Sequence, residues 1–521
     1  VDGATWAGTS KQTADVFDPA YGSISAQVRL AFPHDLDLLR GVVMTDITPM
    51  RIGTELVVTR EVASVRSPFD NHEVGRVPVA TEAHIDAAVA AAVSRREEGP
   101  LPAWERAEIL DRAAVRLAER AEEFAQRISG EAAKPLKTAR VEVMRAVDTF
   151  RFSASVARTL TGETIPLDAS SAGANKIGFV LRVPIGVVAA ISPFNFPVNL
   201  VVHKLGPAIA AGCPVVLKPA SATPLSALEL VNMLLDECGL PAGWLNVVTC
   251  PGSTANHLVE HPDVSMISFT GSPPVGWGIR SRVPHKRVGL ELGNNAPVII
   301  EPSANWANAV DRIAVAATSF AGQSCISVQR VFVHHSIADR VIDRLGVSFA
   351  ALKVGNPLDE SVDVSALINP DETTRVTSWI NEAVADGARL VVGGTIDNNG
   401  VLLPTVLADV RPEMEICRTE VFGPVIGVQV YDDVRGALRL ANDSRYGLQA
   451  GIFTADLDTA MLAAHTLDFG GVIINDVPTW RADQMPYGGV RDSGNTREGP
   501  SYAAREMTEE RLIVIHSIVK A

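Results

Sequence analysis

A cysteine in Phe320-Ala321-Gly322-Gln323-Ser324-Cys325 and a glutamate in Leu290-Glu291-Leu292-Gly293-Asn294 are the residues most able to do chemistry together. Each sits beside a chain reversal. A thiolate attacks a carbonyl, and a carboxylate activates the water that releases the acylated product. Taken singly, each has a bland explanation. A lone cysteine is more often a buried core residue, and a glutamate leaving a strand is usually solvated. A third group fits the same chemistry. Asn195, in Ser192-Pro193-Phe194-Asn195-Phe196-Pro197, reads as a turn residue capping a helix or as an amide donor to an oxyanion.

These residues need a frame. The chain has 521 residues, too many for one ordinary core, so two or three lobes are expected. The net charge is −14, which argues against nucleic acid or an anionic membrane surface as partner. The uncharged run 183–203 holds Pro184, Pro193 and Pro197, so it is no membrane-crossing helix. Five widely spread cysteines without a C-x-x-C pair suggest neither disulfides nor a metal site, and a cytoplasmic setting.

Leu110, Ala114, Leu117, Ala121, Phe124 and Ile128 recur at helical spacing and predict one amphipathic helix face. A second long helix is expected over 135–160. Short apolar runs then alternate with helices. The runs Val187–Ile191, Val215–Lys218, Leu245–Thr249, Met266–Phe269 and Val288–Glu291 read as parallel strands of a doubly wound sheet. A second α/β series begins near Ala296. This puts Glu291 at the junction of two lobes and Cys325 just inside the second. Upstream, the stretch 16–31 repeats the layout of 65–80, and each reads as a β-hairpin. Residues 1–43 are therefore expected to be an extension not needed for chemistry, with Met44 as an alternative start.

Two further motifs suit a nucleotide. Lys218 ends an apolar strand in Val216-Leu217-Lys218-Pro219. A glycine-rich turn, Thr270-Gly271-Ser272-Pro273, precedes a predicted helix. Glu420-Val421-Phe422-Gly423-Pro424 places an acid and an aromatic before a strand.

In this order and spacing, from about Met44 to the C-terminus, the motifs resemble the aldehyde dehydrogenase superfamily, with Val472–Thr479 similar to its lactaldehyde and non-phosphorylating glyceraldehyde-3-phosphate branch. Glu131 to Arg145, Tyr446-Gly447-Leu448 and Met485-Pro486-Tyr487-Gly488-Gly489 belong to the same resemblance. It implies an α/β fold with a Rossmann-type cofactor domain (44–161 and 183–292), a catalytic domain (293–499) and a small β oligomerisation flap (162–182 and 500–521). It implies Cys325 as nucleophile, Asn195 as oxyanion donor and Glu291 as base. It also implies Lys218, Ser221, Gly271, Ser272, Val275, Glu420 and Phe422 as contacts to NADP or NAD.

Ser221 stands where NAD-preferring relatives often carry glutamate, so NADP is expected to be accepted. Phe194 replaces a common tryptophan. Substrate-pocket candidates are Val198, Val202, Ser324, Ile326, Ser327, Thr479, Trp480 and Arg481, the last a partner for an anionic tail or a solvated loop residue. The expected partner is a small aldehyde, and the expected assembly a homodimer or homotetramer. CoA acylation and a non-catalytic NAD(P)-binding role stay open as alternatives, although Glu291 favours hydrolysis.

Overall fold

The computed structural model describes residues 47–516 and, before them, the backbone of three strands, Thr5–Trp6, Thr13–Asp18 and Ser23–Arg29. Thr13–Asp18 pairs antiparallel with Ser23–Arg29, as Val62–Arg66 does with Glu73–Pro78. Both stretches are therefore hairpins. Most of the 1–43 extension, and Met44, lie outside the described residues.

Two seven-stranded sheets organise the rest. The first runs in the order Arg287–Glu291, Val264–Thr270, Val187–Ile191, Val215–Lys218, Leu245–Val247, Met50–Ile52, Glu55–Val57. Its first five strands are parallel, and Val187–Ile191 and Val215–Lys218 are buried at every position. Continuous apolar runs form such strands because helices cover both faces. The helix Asn199–Ala211 is buried throughout and packs against Leu136–Thr159, which in turn packs against Ala103–Glu119.

Register sets the site. Ile191 lies opposite Lys218 and Phe269, and Thr270 lies opposite Glu291. The carboxyl ends of four strands thus share one edge, where ligands of doubly wound sheets bind. The second sheet, Arg389–Val392, Thr405–Ala408, Val425–Tyr431, Val328–His334, Ala296–Ile300, Gln449–Phe453, Gly471–Ile474, is parallel apart from its first strand. A third, three-stranded sheet joins Thr508–His516, Lys176–Pro184 and Thr164–Ile165.

One predicted helix divides. The periodic face from Leu110 to Ile128 is carried by two helices, Ala103–Glu119 and Ala121–Ala132, which meet at Arg120. The apolar spacing continues across the break, so pattern alone does not register it. Arg120 pairs there with Glu123 on the following helix and with Glu229 and Glu237 on the distant helical stretch 225–237.

Candidate active site

The nucleophile loop starts where the helix Trp306–Thr318 ends. Phe320, Ala321 and Gly322 all take left-handed φ, at 49°, 52° and 72°. A β-carbon on Gly322 would stand 2.1 Å from the Gly423 carbonyl oxygen, so only glycine lets the turn pack there. Such backbone is held by its surroundings rather than by preference. Here Gln323 does the holding. Its side chain donates to the Phe320 carbonyl at 3.3 Å and accepts from Ile368 N–H at 2.9 Å. The turn delivers Cys325 to a cavity wall. Burial pushes its thiol up to about 12, opposed by a 2.8 Å contact with the Tyr487 hydroxyl.

Asn195 reaches the same point from the other sheet. Its amide nitrogen donates to the Gln323 carbonyl at 3.0 Å. That uses one of two hydrogens and leaves the other for a ligand. The Cys325 N–H donates to no group among the described residues, so it too is available.

A buried ion pair anchors the Asn195 loop. Lys134 bonds Glu142, and its ammonium donates to the Asn195 carbonyl at 2.6 Å. The same ammonium lies 3.8 Å from the Phe196 ring centroid and 4.5 Å from that of Phe320. Phe196 belongs to the asparagine loop and Phe320 to the cysteine loop, so one cation ties both together. Glu142 completes the joint by accepting from Val198 N–H at 2.9 Å and Asn199 N–H at 3.1 Å, at the start of a helix.

Glu291 contrasts with this. It is 4% exposed, yet neither carboxylate oxygen has a hydrogen-bond partner among the described residues. Burial and then Glu498 hold its pKa well above the carboxylate range, against Arg481, Lys204 and Arg497. A carboxyl group in that condition takes up a proton more readily than an ordinary carboxylate and has free lone pairs for water.

A cavity of about 610 Å³ connects these groups. Its wall includes Asn195, Lys218, Ser221, Gly271, Ser272, Val275, Glu291, Cys325, Glu420 and Phe422. Every catalytic and cofactor residue expected from the sequence thus meets in one space. The chemistry of the lining suits NAD(P). The helix Pro273–Arg282 opens at Ser272, offering amides to a pyrophosphate. Lys218, whose ammonium has no hydrogen bond among the described residues, stands near Ser221, where a ribose would lie; burial lowers its pKa. Glu420 is pressed against Gly293, accepts from Asn294 N–H at 2.9 Å, and is raised by burial to about 8. Phe194 and Phe422 meet edge-on, 5.8 Å between centroids, as an apolar wall beside it.

The substrate candidates fare differently. Val198 and Val202 are wholly buried in the core and do not line this cavity. Ser327 is 5% exposed and spends its hydroxyl on the Ala316 and Ala317 carbonyls. Ile326 packs with Leu448, Tyr487 and Cys325 beside the thiol, and Ser324 adjoins it in the chain. Arg481 is not a solvated loop residue: its side chain is 5% exposed. It donates to Glu498 at 2.9 Å, stands 2.9 Å from His203 Nε2, and lies 3.8 Å from the Tyr487 ring centroid. His203 also bonds Asp483, which accepts from Arg145 at 2.8 Å. Burial and then Arg481 lower the His203 pKa, so the ring stays neutral.

Sequence reasoning gave no role to Lys134, Glu142, Tyr487 or Glu498. Lys134 and Glu142 lie within the 131–145 stretch that carries the family resemblance, and Tyr487 within 485–489. The buried contacts that give them roles join residues distant in sequence.

Residues 58–513 match the model of the aldehyde dehydrogenase family. The 3-sulfolactaldehyde dehydrogenase of Priestia megaterium is 44% identical over 479 residues, covering 91% of this chain and 100% of its own. Among solved structures, aldehyde dehydrogenase 21 from Physcomitrella patens, in complex with the reaction product succinate, superposes with a TM-score of 0.88 at 38% identity, covering 91% of this chain and 99% of that one. The glyceraldehyde-3-phosphate dehydrogenase GapN from Methanocaldococcus jannaschii, complexed with NADP, gives 0.84 at 36% identity, covering 88% and 100%.

Proposed function

The chain belongs to the aldehyde dehydrogenase family and oxidises an aldehyde to its acid with NAD(P), and we propose that Cys325, Asn195 and Glu291 perform this on a short aldehyde with an anionic tail. The observation that carries the residue roles is their convergence on one cavity. The Cys325 sulfur attacks the aldehyde carbon, and the new oxyanion takes hydrogen bonds from the Asn195 amide and the Cys325 N–H. NAD(P), when bound, supplies the hydride acceptor that brings the carbon to the acid level. Glu291 then takes a proton from water as that water attacks the thioester carbon, and Cys325 leaves as thiolate. Lys218, Ser221, Ser272 and Val275 hold the adenosine and pyrophosphate side; Glu420 and Phe422 hold the nicotinamide side.

The anionic tail rests on charge beside the thiol. Arg481 is one tyrosine ring away from Cys325, and Arg145 adjoins it through Asp483. Arg481 acts electrostatically on the Cys325 thiol. Although Glu498 and Asp483 already pair Arg481 and Arg145, such guanidinium groups are the donors that suit a terminal sulfonate, carboxylate or phosphate. A relative named for 3-sulfolactaldehyde and a neighbour holding succinate support the same class. NADP is accepted, because no acid at Ser221 repels its 2′-phosphate.

The domain division 44–161 with 183–292, 293–499, and 162–182 with 500–521 is part of this reading, as are a cytoplasmic setting and a homo-oligomer. Ile177, Leu181 and Ile515 stand exposed on one face of the three-stranded sheet and Leu512 and Val514 on the other, apolar surfaces that a second subunit would cover. Among the described residues no helix is long and apolar enough to cross a membrane.

A kinetic panel tests the substrate and cofactor classes together. 3-Sulfolactaldehyde, succinate semialdehyde and lactaldehyde are compared with NAD and NADP. Arg481→Ala lowers kcat/KM for the anionic members more than for neutral lactaldehyde; an equal change sinks the anionic pocket. Ser221→Glu shifts preference toward NAD, and an unmoved NADP/NAD ratio sinks that assignment.

A further inference from the structure

Tyr487 is a group the mechanism above leaves idle, although it touches the reacting atom. It is 2% exposed, and its hydroxyl lies 2.8 Å from Cys325 Sγ. Backbone hydrogen bonds fix it: Tyr487 N–H donates to the Glu498 carbonyl at 3.1 Å, and Glu498 N–H returns to Tyr487 at 2.6 Å. The Arg481 guanidinium covers the ring face at 3.8 Å, which draws electron density from the phenol and strengthens its O–H as a donor. Ile326, Leu448 and Met485 close the same pocket with apolar atoms.

Four groups act electrostatically on the sulfur: Tyr487, Glu420, Arg481 and Glu291. The two carboxylates disfavour a thiolate. Arg481 favours it from a distance, through the ring. Tyr487 alone among the four makes a hydrogen bond to it. Burial, then Cys325, hold the Tyr487 hydroxyl well above its ordinary pKa, so it keeps its proton and remains a donor.

We propose that Tyr487 is a catalytic residue: its O–H donates to the Cys325 sulfur and stabilises the thiolate that attacks the aldehyde. The thiol S–H bond breaks and its proton leaves to solvent, while Tyr487 keeps its own. On attack the C–S bond forms, and the carbonyl π pair moves onto oxygen, toward Asn195. Sulfur in the covalent adduct is a poor acceptor, so the tyrosine acts where sulfur carries charge, on the attacking thiolate and again on the thiolate that leaves at hydrolysis. This rests on Cys325 being the nucleophile.

The test is alkylation of the cofactor-free enzyme by iodoacetamide across pH 6–10, with mass spectrometry to locate the label. A hydrogen bond to a charged acceptor corresponds to a displacement of about one to two pH units. Nucleophilicity falls partly in step with pKa, so Tyr487→Phe slows alkylation about 3- to 15-fold at fixed pH. Its log-rate profile runs parallel to the parent's but is displaced to alkaline pH. Aldehyde kcat/KM falls by a similar factor. Fluorinated tyrosine at 487, a stronger donor on the same ring, speeds alkylation. Unchanged or faster alkylation of Tyr487→Phe overturns the proposal, because the thiol is then the donor. Full aldehyde oxidation by Cys325→Ser, or label on another cysteine, would instead remove the nucleophile assignment beneath it.

Discussion

Glu142 and Glu291 are both buried carboxylates within reach of the same reaction, and they are treated in opposite ways. Glu142 accepts from Lys134, Val198 N–H and Asn199 N–H. Glu291 has no hydrogen-bond partner among the described residues, and Glu498 repels its charge. A satisfied carboxylate is fixed and holds other things in place. An unsatisfied one is costly to keep charged and ready to exchange a proton. In the proposed mechanism the first positions the oxyanion loop, and the second is the base.

Breaking this contrast at Glu291 gives the largest effect. Glu291→Gln lowers steady-state acid formation about 10²- to 10⁴-fold, the range for a lost general base. A rapid-mixing experiment still shows one equivalent of NAD(P)H per subunit, because the thioester forms without the base. Loss of burst and turnover together would mean that Glu291 acts before hydrolysis.

Next comes Glu142→Ala, which strands the buried Lys134 charge and two amides. The expected cost is about 3–5 kcal/mol in denaturant unfolding, as when one partner of a buried pair is removed. Lys134→Met combined with Glu142→Gln removes the charge pair together and recovers most of that stability. It does not recover the rate, because the Asn195 carbonyl has lost its donor. The expected loss is about tenfold, less than the 10²- to 10³-fold of removing an oxyanion donor outright. Full activity in the double variant would reduce the pair to packing.

The smallest effect has the sharpest sign. Glu291's pKa is raised in the folded state, so between the unfolded and folded values the native protein holds more protons. Stability from this group is present at low pH and is lost as pH rises through the folded pKa. Glu291→Gln therefore raises Tm by about 1–3 °C, more above the folded pKa of Glu291 than below its unfolded value, while killing turnover. Hydrolysis by the parent rises over the same interval as Glu291 loses its proton. A variant less stable at every pH would show that the carboxylate has a structural partner after all.

The strands Val187–Ile191 and Val215–Lys218 were legible to the residue, because a strand buried on both faces writes itself as an unbroken apolar run. The edge carrying Lys218, Thr270 and Glu291 followed from those strand ends. Arg120 shows the limit: apolar spacing passes through a break that ion pairs from distant segments accompany. Arg481 shows another. A loop arginine beside Trp480 reads as solvated, yet Glu498, His203 and the Tyr487 ring bury it.

Cys325, Asn195 and Glu291 can be proposed from sequence because the order and spacing of their motifs resemble the aldehyde dehydrogenase family, while each alone has a bland reading. What only the fold decided is their electrostatics. Whether a carboxylate is pinned like Glu142 or bare like Glu291 depends on which groups the fold brings to it: for Glu142, a cation eight residues back and two amides 56 and 57 residues on. The same holds for Cys325, whose thiol is shaped by a tyrosine 162 residues away. Local pattern fixes where a group can stand; burial and long-range partners fix what its proton does.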